Sequence, residues 1–387
     1  MKYNFDEIKD RHNTGAIKWA IMKHDNGFMP FSVADMEFAV APEITEAIKK
    51  AADHGIYGYT EADESYFEAL KGFMKRRHNF EIERDWLVFT DGVVPAISLA
   101  VNALTNEGDG VIIQTPVYTP FHNAIKLNNR KLVENRLVLK NGRYEMNFEE
   151  LEALAKRDDV KLMILCSPHN PIGRVWERGE LERVAKICLE NDVIVIADEI
   201  HSDIVYEGHE HICFANIDSM KEHCIVCTAM SKTFNLAGLT CSNIIIPNAE
   251  LRKRVNDKLQ ALGGFCVPYF ARAAAITAFS KCDEWLDELI KYLKGNLDYL
   301  YNFIDEKLPQ LKYSRSEGTY LAWIDFSGLS MSRQELEKFI FDDVQLSFCD
   351  GSQFDTRDNL YMRINVALPR QELKRAMEHL EKKINSL

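Results

Sequence analysis

From about residue 84 to residue 247 the chain repeats one pattern: a short apolar run rich in β-branched residues, a polar break, then apolar positions spaced three or four apart. The runs WLVFT (86–90), GVIIQT (110–115), RKLVENRLV (130–138), KLMILC (161–166), VIVIAD (193–198), CIVCTA (224–229) and CSNIIIP (241–247) predict strands. The stretches 92–104, 177–191 and 249–262 carry helical spacing between them. Strands alternating with amphipathic helices predict an α/β fold, doubly wound, with a mainly parallel sheet and helices on both faces.

After about residue 283 the pattern changes. A long helix rich in Leu and Tyr is followed by a predicted strand (319–326), a helix (332–341), a second strand (359–367) and a final helix. This reads as a smaller α+β domain spanning 283–387, beside a large domain spanning 46–282. Residues 1–45 contain Pro30 and Pro42 and little helical periodicity, which suits an arm contributing to the smaller domain. A chain of 387 residues exceeds what one growing core accommodates, in keeping with two domains.

Composition narrows the function classes. Hydrophobic residues make up 46% and charged residues 27%, as in ordinary globular proteins, so disorder is excluded as the organising principle. The formal charge is −12, and no basic cluster is present that could neutralise successive phosphates, which argues against a nucleic-acid partner. The N-terminus is charged from its second residue and no long apolar segment follows, so a cytoplasmic protein without a membrane partner is expected. Nine cysteines without framework spacing suit reduced thiols. The single CxxC, Cys224 to Cys227, falls on a predicted strand, where residues three apart face opposite sides and cannot share a metal.

In open α/β sheets ligands sit beyond the carboxyl ends of the strands, so the polar residues that end each apolar run hold the candidate chemistry. Asp198 closes VIVIAD, where a carboxylate is costly without a cationic or hydrogen-bonding partner; alone, it reads more simply as a helix cap or ion-pair member. KLMILC runs into SPHNPIGRVW, whose Pro168, Pro171 and Gly173 predict a tight turn holding Asn170. WLVFT runs into a helix opened by Gly92, so the free N–H groups of Gly92, Val93 and Val94 offer an anion site. Lys232 follows CIVCTA among small and hydroxyl residues; alone it reads as a lysine reaching solvent, and in a dry cleft as a Schiff-base nucleophile. Ser-Lys-Thr is not a Walker loop, because no Gly precedes the Lys and Val226 stands where the first Gly belongs.

In chain order Gly92, Tyr118, Asn170, Asp198 and Lys232 all fall at strand ends of one sheet. Together with DRHNTGAIKW (10–19), FSVADMEF (31–38), YGYT (57–60), SPHNPIGRVW (167–176), ADEIHSD (197–203), SKTFNLAGL (231–239) and YMRINVA (361–367), they make the chain resemble the fold type I, aminotransferase-like enzymes dependent on pyridoxal 5'-phosphate (PLP). Within these, it resembles the MalY/PatB group of cystathionine β-lyase-type C–S lyases.

That resemblance implies that Lys232 carries PLP as a Schiff base and moves the substrate α-proton, while Asp198 keeps the pyridine nitrogen protonated. It further implies that Asn170 bonds the phenolic oxygen, Tyr118 stacks on the ring, and Gly92, Val93 and Ser231 hold the phosphate. His201 stands three after Asp198, beside the cofactor. Arg363 would bind the substrate carboxylate, and Tyr59 would reach the phosphate of the neighbouring subunit, making the enzyme a homodimer. Three positions depart from the usual aminotransferase pattern and fit the lyase branch better: Ala229 in place of a phosphate-binding Ser, Thr240 in place of an Arg, and His201 in place of a Tyr.

The implied reaction is β-elimination from an L-cysteine conjugate such as cystathionine, giving a thiol, pyruvate and ammonia. An aminotransferase is the alternative within the fold, and a regulatory protein keeping the fold is an alternative of another class. A metal hydrolase built on His209, Glu210 and His211 lacks a third ligand nearby, so no metal is expected.

Overall fold

The computed structural model of the chain describes residues 2–387 apart from 24–26, 218, 356 and 358. Its larger sheet contains β1 (Leu87–Thr90), β2 (Gly110–Thr115) and β3 (Lys131–Arg136). A hairpin of β4 (Val138–Lys140) and β5 (Arg143–Glu145) follows, and the sheet resumes with β6 (Val160–Cys166), β7 (Ile194–Asp198), β8 (Cys224–Thr228) and β9 (Ser242–Ile245). The order across the sheet is β1-β9-β8-β7-β6-β2-β3. β3, β2, β6, β7 and β8 are mutually parallel, while β9 runs antiparallel to both β8 and β1. The expected α/β architecture with a mainly parallel sheet is therefore observed.

Two apolar layers follow from the two-residue period of the strands. Ile113, Leu162, Ile164, Ile196 and Ile225 face one layer, which the helices Val93–Leu104, Pro120–Lys126 and Ala249–Ala261 complete. Ile112, Met163, Leu165, Val195 and Val226 face the other, packed by the helices Arg178–Glu190, Glu64–His78 and Tyr269–Lys281. Cys224 belongs to the second layer and Cys227 to the first, so these thiols lie on opposite sides of the sheet. Burial raises the pKa of both, which keeps them as inert thiols.

The run 130–138 is not one strand. β3 ends at Arg136, Leu137 still bonds Thr115 O through its N–H at 2.9 Å, and the chain then turns into the exposed β4–β5 hairpin. Asn141 and Gly142, both at positive φ, form its tip.

A smaller antiparallel sheet, ordered β10-β11-β13-β12, is made of β10 (Lys312–Tyr313), β11 (Leu321–Asp325), β12 (Cys349–Asp350) and β13 (Tyr361–Asn365). The helices Asp283–Lys307 and Arg370–Ile384 pack together beside it. The helix expected over 332–341 is α-helical only over Arg333–Lys338 and continues as a π-type turn over Phe339–Val344. The N-terminal segment runs along this sheet: Asn365 N–H bonds Phe31 O and Glu37 N–H bonds Ala367 O, each at 2.9 Å. It thereby reaches the carboxyl edge of the larger sheet, where β7 and β8 end. Among the described residues no helix is long and apolar enough to cross a membrane.

Candidate active site

A cavity of about 460 Å³ opens at the carboxyl ends of β1, β6, β7 and β8, under the smaller sheet. Gly92, Val93, Tyr118, Asn170, Asp198, His201, Ser231, Lys232 and Arg363 all line it. Residues spread over most of the chain thus meet where strand polarity places a ligand. Tyr59 does not line the cavity; in the single chain it is 98% exposed.

Each residue is delivered by its local structure. The helix Val93–Leu104 begins after Gly92 with no side-chain cap, and Gly92, Val93 and Val94 form the wall of the cavity, so an anion there would meet an uncapped helix N-terminus. Asn170 sits in a turn closed by His169 N–H to Arg174 O and Gly173 N–H to His169 O, both 2.8 Å. Gly173 has φ +70° and lies against Ser316, 2.7 Å from where a Cβ would stand, so only glycine permits this turn to pack against the connection between β10 and β11.

Asp198 ends β7, only 4% exposed, and its Oδ1 accepts from the Ile200 N–H at 3.1 Å. Burial pushes its carboxyl up to about 7, opposed by the Ile200 bond and the charge of Lys232. A carboxylate so placed calls for a cation against its open face. His201, 2% exposed, has an Nδ1 with no hydrogen-bond partner among the described residues, and burial followed by the charges of Lys232 and Arg363 drives its pKa down to about 3. It is a neutral imidazole, set edge-on to Tyr320.

Lys232 lies in the short turn Met230–Thr233 after β8, and its Nζ donates to Ala34 O at 2.6 Å. Burial lowers its pKa to about 8, with Asp35 and Asp198 opposing the shift and Arg363 and Lys18 reinforcing it. An amine held near 8 is partly neutral, and nucleophilic, at physiological pH.

Arg363 on β13 is 3% exposed. Its Nη1 donates to Asn170 Oδ1 at 3.0 Å and its Nη2 to Ser32 O at 2.8 Å, while its buried Nε has no partner among the described residues. The guanidinium stands 4.8 Å from the centroid of the Phe354 ring. Tyr118 presents its ring to the cavity, braced edge-on by Phe121, and burial raises its phenol pKa.

Sequence reasoning missed the Ala34 carbonyl, as well as Cys349, Gln353 and Phe354, which close the cavity from the smaller sheet. FSVADMEF marks Ala34 as part of a motif, but a backbone acceptor has no residue type by which to find it. The pair His209 and Glu210 is exposed, whereas His211 turns inward and bonds Glu199 at 3.0 Å, so the three do not converge.

The cavity unites an uncapped helix N-terminus, a buried carboxylate lacking a cation, a weakly basic amine, an aromatic face and an orphaned imidazole nitrogen. A phosphorylated aromatic aldehyde with a basic ring nitrogen fits this donor set. The model of the family "Aminotransferase class I and II" matches residues 26–380. Cystathionine beta-lyase PatB of Bacillus subtilis is 39% identical, with 94% of this chain and 95% of PatB covered. Protein MalY of Escherichia coli is 31% identical, with 98% of each chain covered. The crystal structure of cystalysin from Treponema denticola, which contains a pyridoxal 5'-phosphate cofactor, superposes with a TM-score of 0.97 at 40% identity, covering all of both chains. With its sheet, its cavity and these likenesses in agreement, the chain belongs to the aminotransferase class I and II family, in the group that includes PatB and MalY.

Proposed function

We propose that the protein is a PLP-dependent carbon–sulfur β-lyase that cleaves an L-cysteine conjugate such as cystathionine to a thiol, pyruvate and ammonia. The observation that carries this reading is the meeting of Lys232, Asp198 and Arg363 around one cavity, each buried or half-buried and each with an unmet electrostatic demand. The likeness to PatB and cystalysin over nearly the whole chain supports the lyase branch, as do Ala229, Thr240 and His201.

Lys232 would hold PLP covalently, the Gly92 and Val93 N–H groups with Ser231 its phosphate, Asp198 its ring nitrogen, and Tyr118 its face. Arg363 already occupies Asn170 Oδ1, which leaves the Asn170 amide nitrogen to donate to the phenolic oxygen. Once bound, the cofactor supplies an electron sink that acidifies the substrate Cα–H and lets a β-thiolate depart. Arg363 grips the substrate carboxylate, and a bidentate guanidinium contact orients the Cα–H toward the lysine. Lys232 Nζ, once the substrate's amino group has taken its place and left it a free amine neutral in part near pH 8, would take that proton. Asp198 holds the ring nitrogen's proton in place, its ionised form favoured by the new cation beside it. The thiolate leaves, and the three-carbon remainder is released and hydrolyses to pyruvate and ammonia.

Tyr59, fully exposed in one chain, is assigned to the phosphate of a partner's cavity, so the active form is a homodimer. Incubating the purified protein with cystathionine and no keto acid tests the reaction. Equal amounts of pyruvate and thiol are expected; an aminotransferase yields neither under these conditions, and that result overturns the reading.

A further inference from the structure

Two segments that stand out in the sequence, DRHNTGAIKW and FSVADMEF, contribute few side chains to the cavity, yet they meet in a half-buried ionic cluster that flanks Ala34 in its wall. Lys18, 1% exposed, places Nζ 3.2 Å from Glu37 Oε1 and 3.7 Å from Asp35 Oδ1, and donates to Asp35 O at 3.2 Å. Arg11 bridges the same two carboxylates, with Nη2 2.8 Å from Asp35 and Nη1 2.9 Å from Glu37. Trp19 Nε1 donates to Glu37 Oε2 at 3.1 Å.

Two cations thus face two carboxylates. Burying such a set confers little net stability compared with apolar packing, so its placement calls for another explanation. The segment that it grips is held from other sides as well. Asn365 Nδ2 donates to Val33 O and Asp35 O at 2.7 and 2.8 Å, and Asn235 brackets Met36 through its N–H and its carbonyl. Between these anchors lies Ala34, whose carbonyl receives both Lys232 Nζ at 2.6 Å and Tyr320 OH at 2.9 Å.

We propose that the cluster of Arg11, Lys18, Asp35 and Glu37 is a positioning device for the reactive lysine: it fixes the Ala34 carbonyl against Lys232 Nζ and sets the field in which that nitrogen gains and loses its proton. The inference rests on Lys232 being the reactive amine. The charged and titratable groups around that nitrogen come from every side: Asp198 and His201 at the end of β7, Arg363 on β13, Tyr118 across the cavity, Tyr320 on the shared carbonyl, and Asp35 and Lys18 from the N-terminal segment. Asp35 favours the ammonium form and Lys18 the neutral amine, so removing one charge or the other moves the proton equilibrium in opposite directions.

This opposition separates an electrostatic role from a merely structural one. Competitive acetylation of the full-length chain, freed of cofactor and read by mass spectrometry on the Lys232 peptide across pH, measures the titration directly. In the native protein the midpoint falls near 8. Lys18→Gln raises it by about half a unit to one unit, Asp35→Asn lowers it by a similar amount, and Lys18→Arg leaves it in place. The acid limb of kcat in the loaded enzyme, which reports the substrate-bound state where Lys232 Nζ is free, moves with it. Arg11, whose side chain is 25% exposed, gives a milder variant should Asp35→Asn not fold: Arg11→Gln also raises the midpoint. Midpoints that stay fixed, that fall in Lys18→Gln or Arg11→Gln, or that rise in Asp35→Asn overturn the inference alone. A native midpoint near that of a free lysine, about 10.4, overturns the reading of Lys232 as well.

Discussion

Asp198→Asn is expected to stabilise the cofactor-free protein while abolishing its function, and to do so only toward neutral pH. In the folded chain the carboxyl is buried with a single backbone donor, and its pKa stands at about 7 against an ordinary 3.8. The folded state therefore holds this proton to higher pH than the unfolded chain, and stability falls as pH rises from about 4 to about 7. The cost reaches about 4 kcal/mol at pH 7.5 and about 2 kcal/mol at pH 5, so the pH-dependent part between them is about 2–3 kcal/mol. Lys232 is charged in both states below about pH 7 and adds little to this window. Asparagine keeps the shape and the acceptor for Ile200 without the ionisation. For a chain of this length the thermal midpoint of the variant should exceed that of the native protein by several degrees at pH 7.5, with a gap roughly 3 °C smaller at pH 5. Differential scanning calorimetry of both cofactor-free proteins at the two pH values measures this. A gap that does not change with pH, or a variant less stable than the native chain at pH 7.5, refutes the claim that Asp198 awaits a cation.

Arg363→Lys should lower kcat/KM about 100-fold while cofactor absorbance persists, because an ammonium cannot reproduce the planar two-point contact; steady-state kinetics with cystathionine checks it. Glu317→Gln should destabilise the fold by about 1–3 kcal/mol, since Glu317 accepts from Arg174 Nε at 2.8 Å and Val175 N–H at 2.9 Å and its neutralisation leaves the buried Arg174 with Glu180, at 2.7 Å, as its remaining carboxylate; a thermal midpoint lowered by a few degrees is the readout. Tyr59→Ala and Lys232→Ala, each inactive alone, should regain activity when co-expressed as hybrid dimers, because Tyr59 of one subunit then serves the intact lysine of the other; no recovery would count against that assignment.

Much of this was legible in the sequence because strands buried in a mainly parallel sheet advertise themselves. β2 was expected over the residues it occupies, and β6, β7 and β8 within one residue at either end. Strand polarity then brought Gly92, Asn170, Asp198 and Lys232 to one edge. The errors lie where the apolar pattern continues past the fold's own breaks. Val138 and Leu139 prolong the run of β3, yet they belong to a solvent-facing hairpin that turns at Asn141–Gly142. Phe339 and Ile340 continue the helical period beyond Lys338, where the backbone loosens to a π-type turn. Contacts between a side chain and a distant backbone were invisible: nothing in Lys232 or Ala34 by type announces that they meet across 198 residues. Tyr59 was named through resemblance, and a single chain leaves it in solvent.

The central claim is that Lys232 carries PLP in this cavity. Reducing the loaded protein with borohydride, digesting it and mapping the peptides by mass should place one phosphopyridoxyl group on the peptide containing Lys232 and none elsewhere. Label on another lysine, or label retained in Lys232→Ala, would contradict the account.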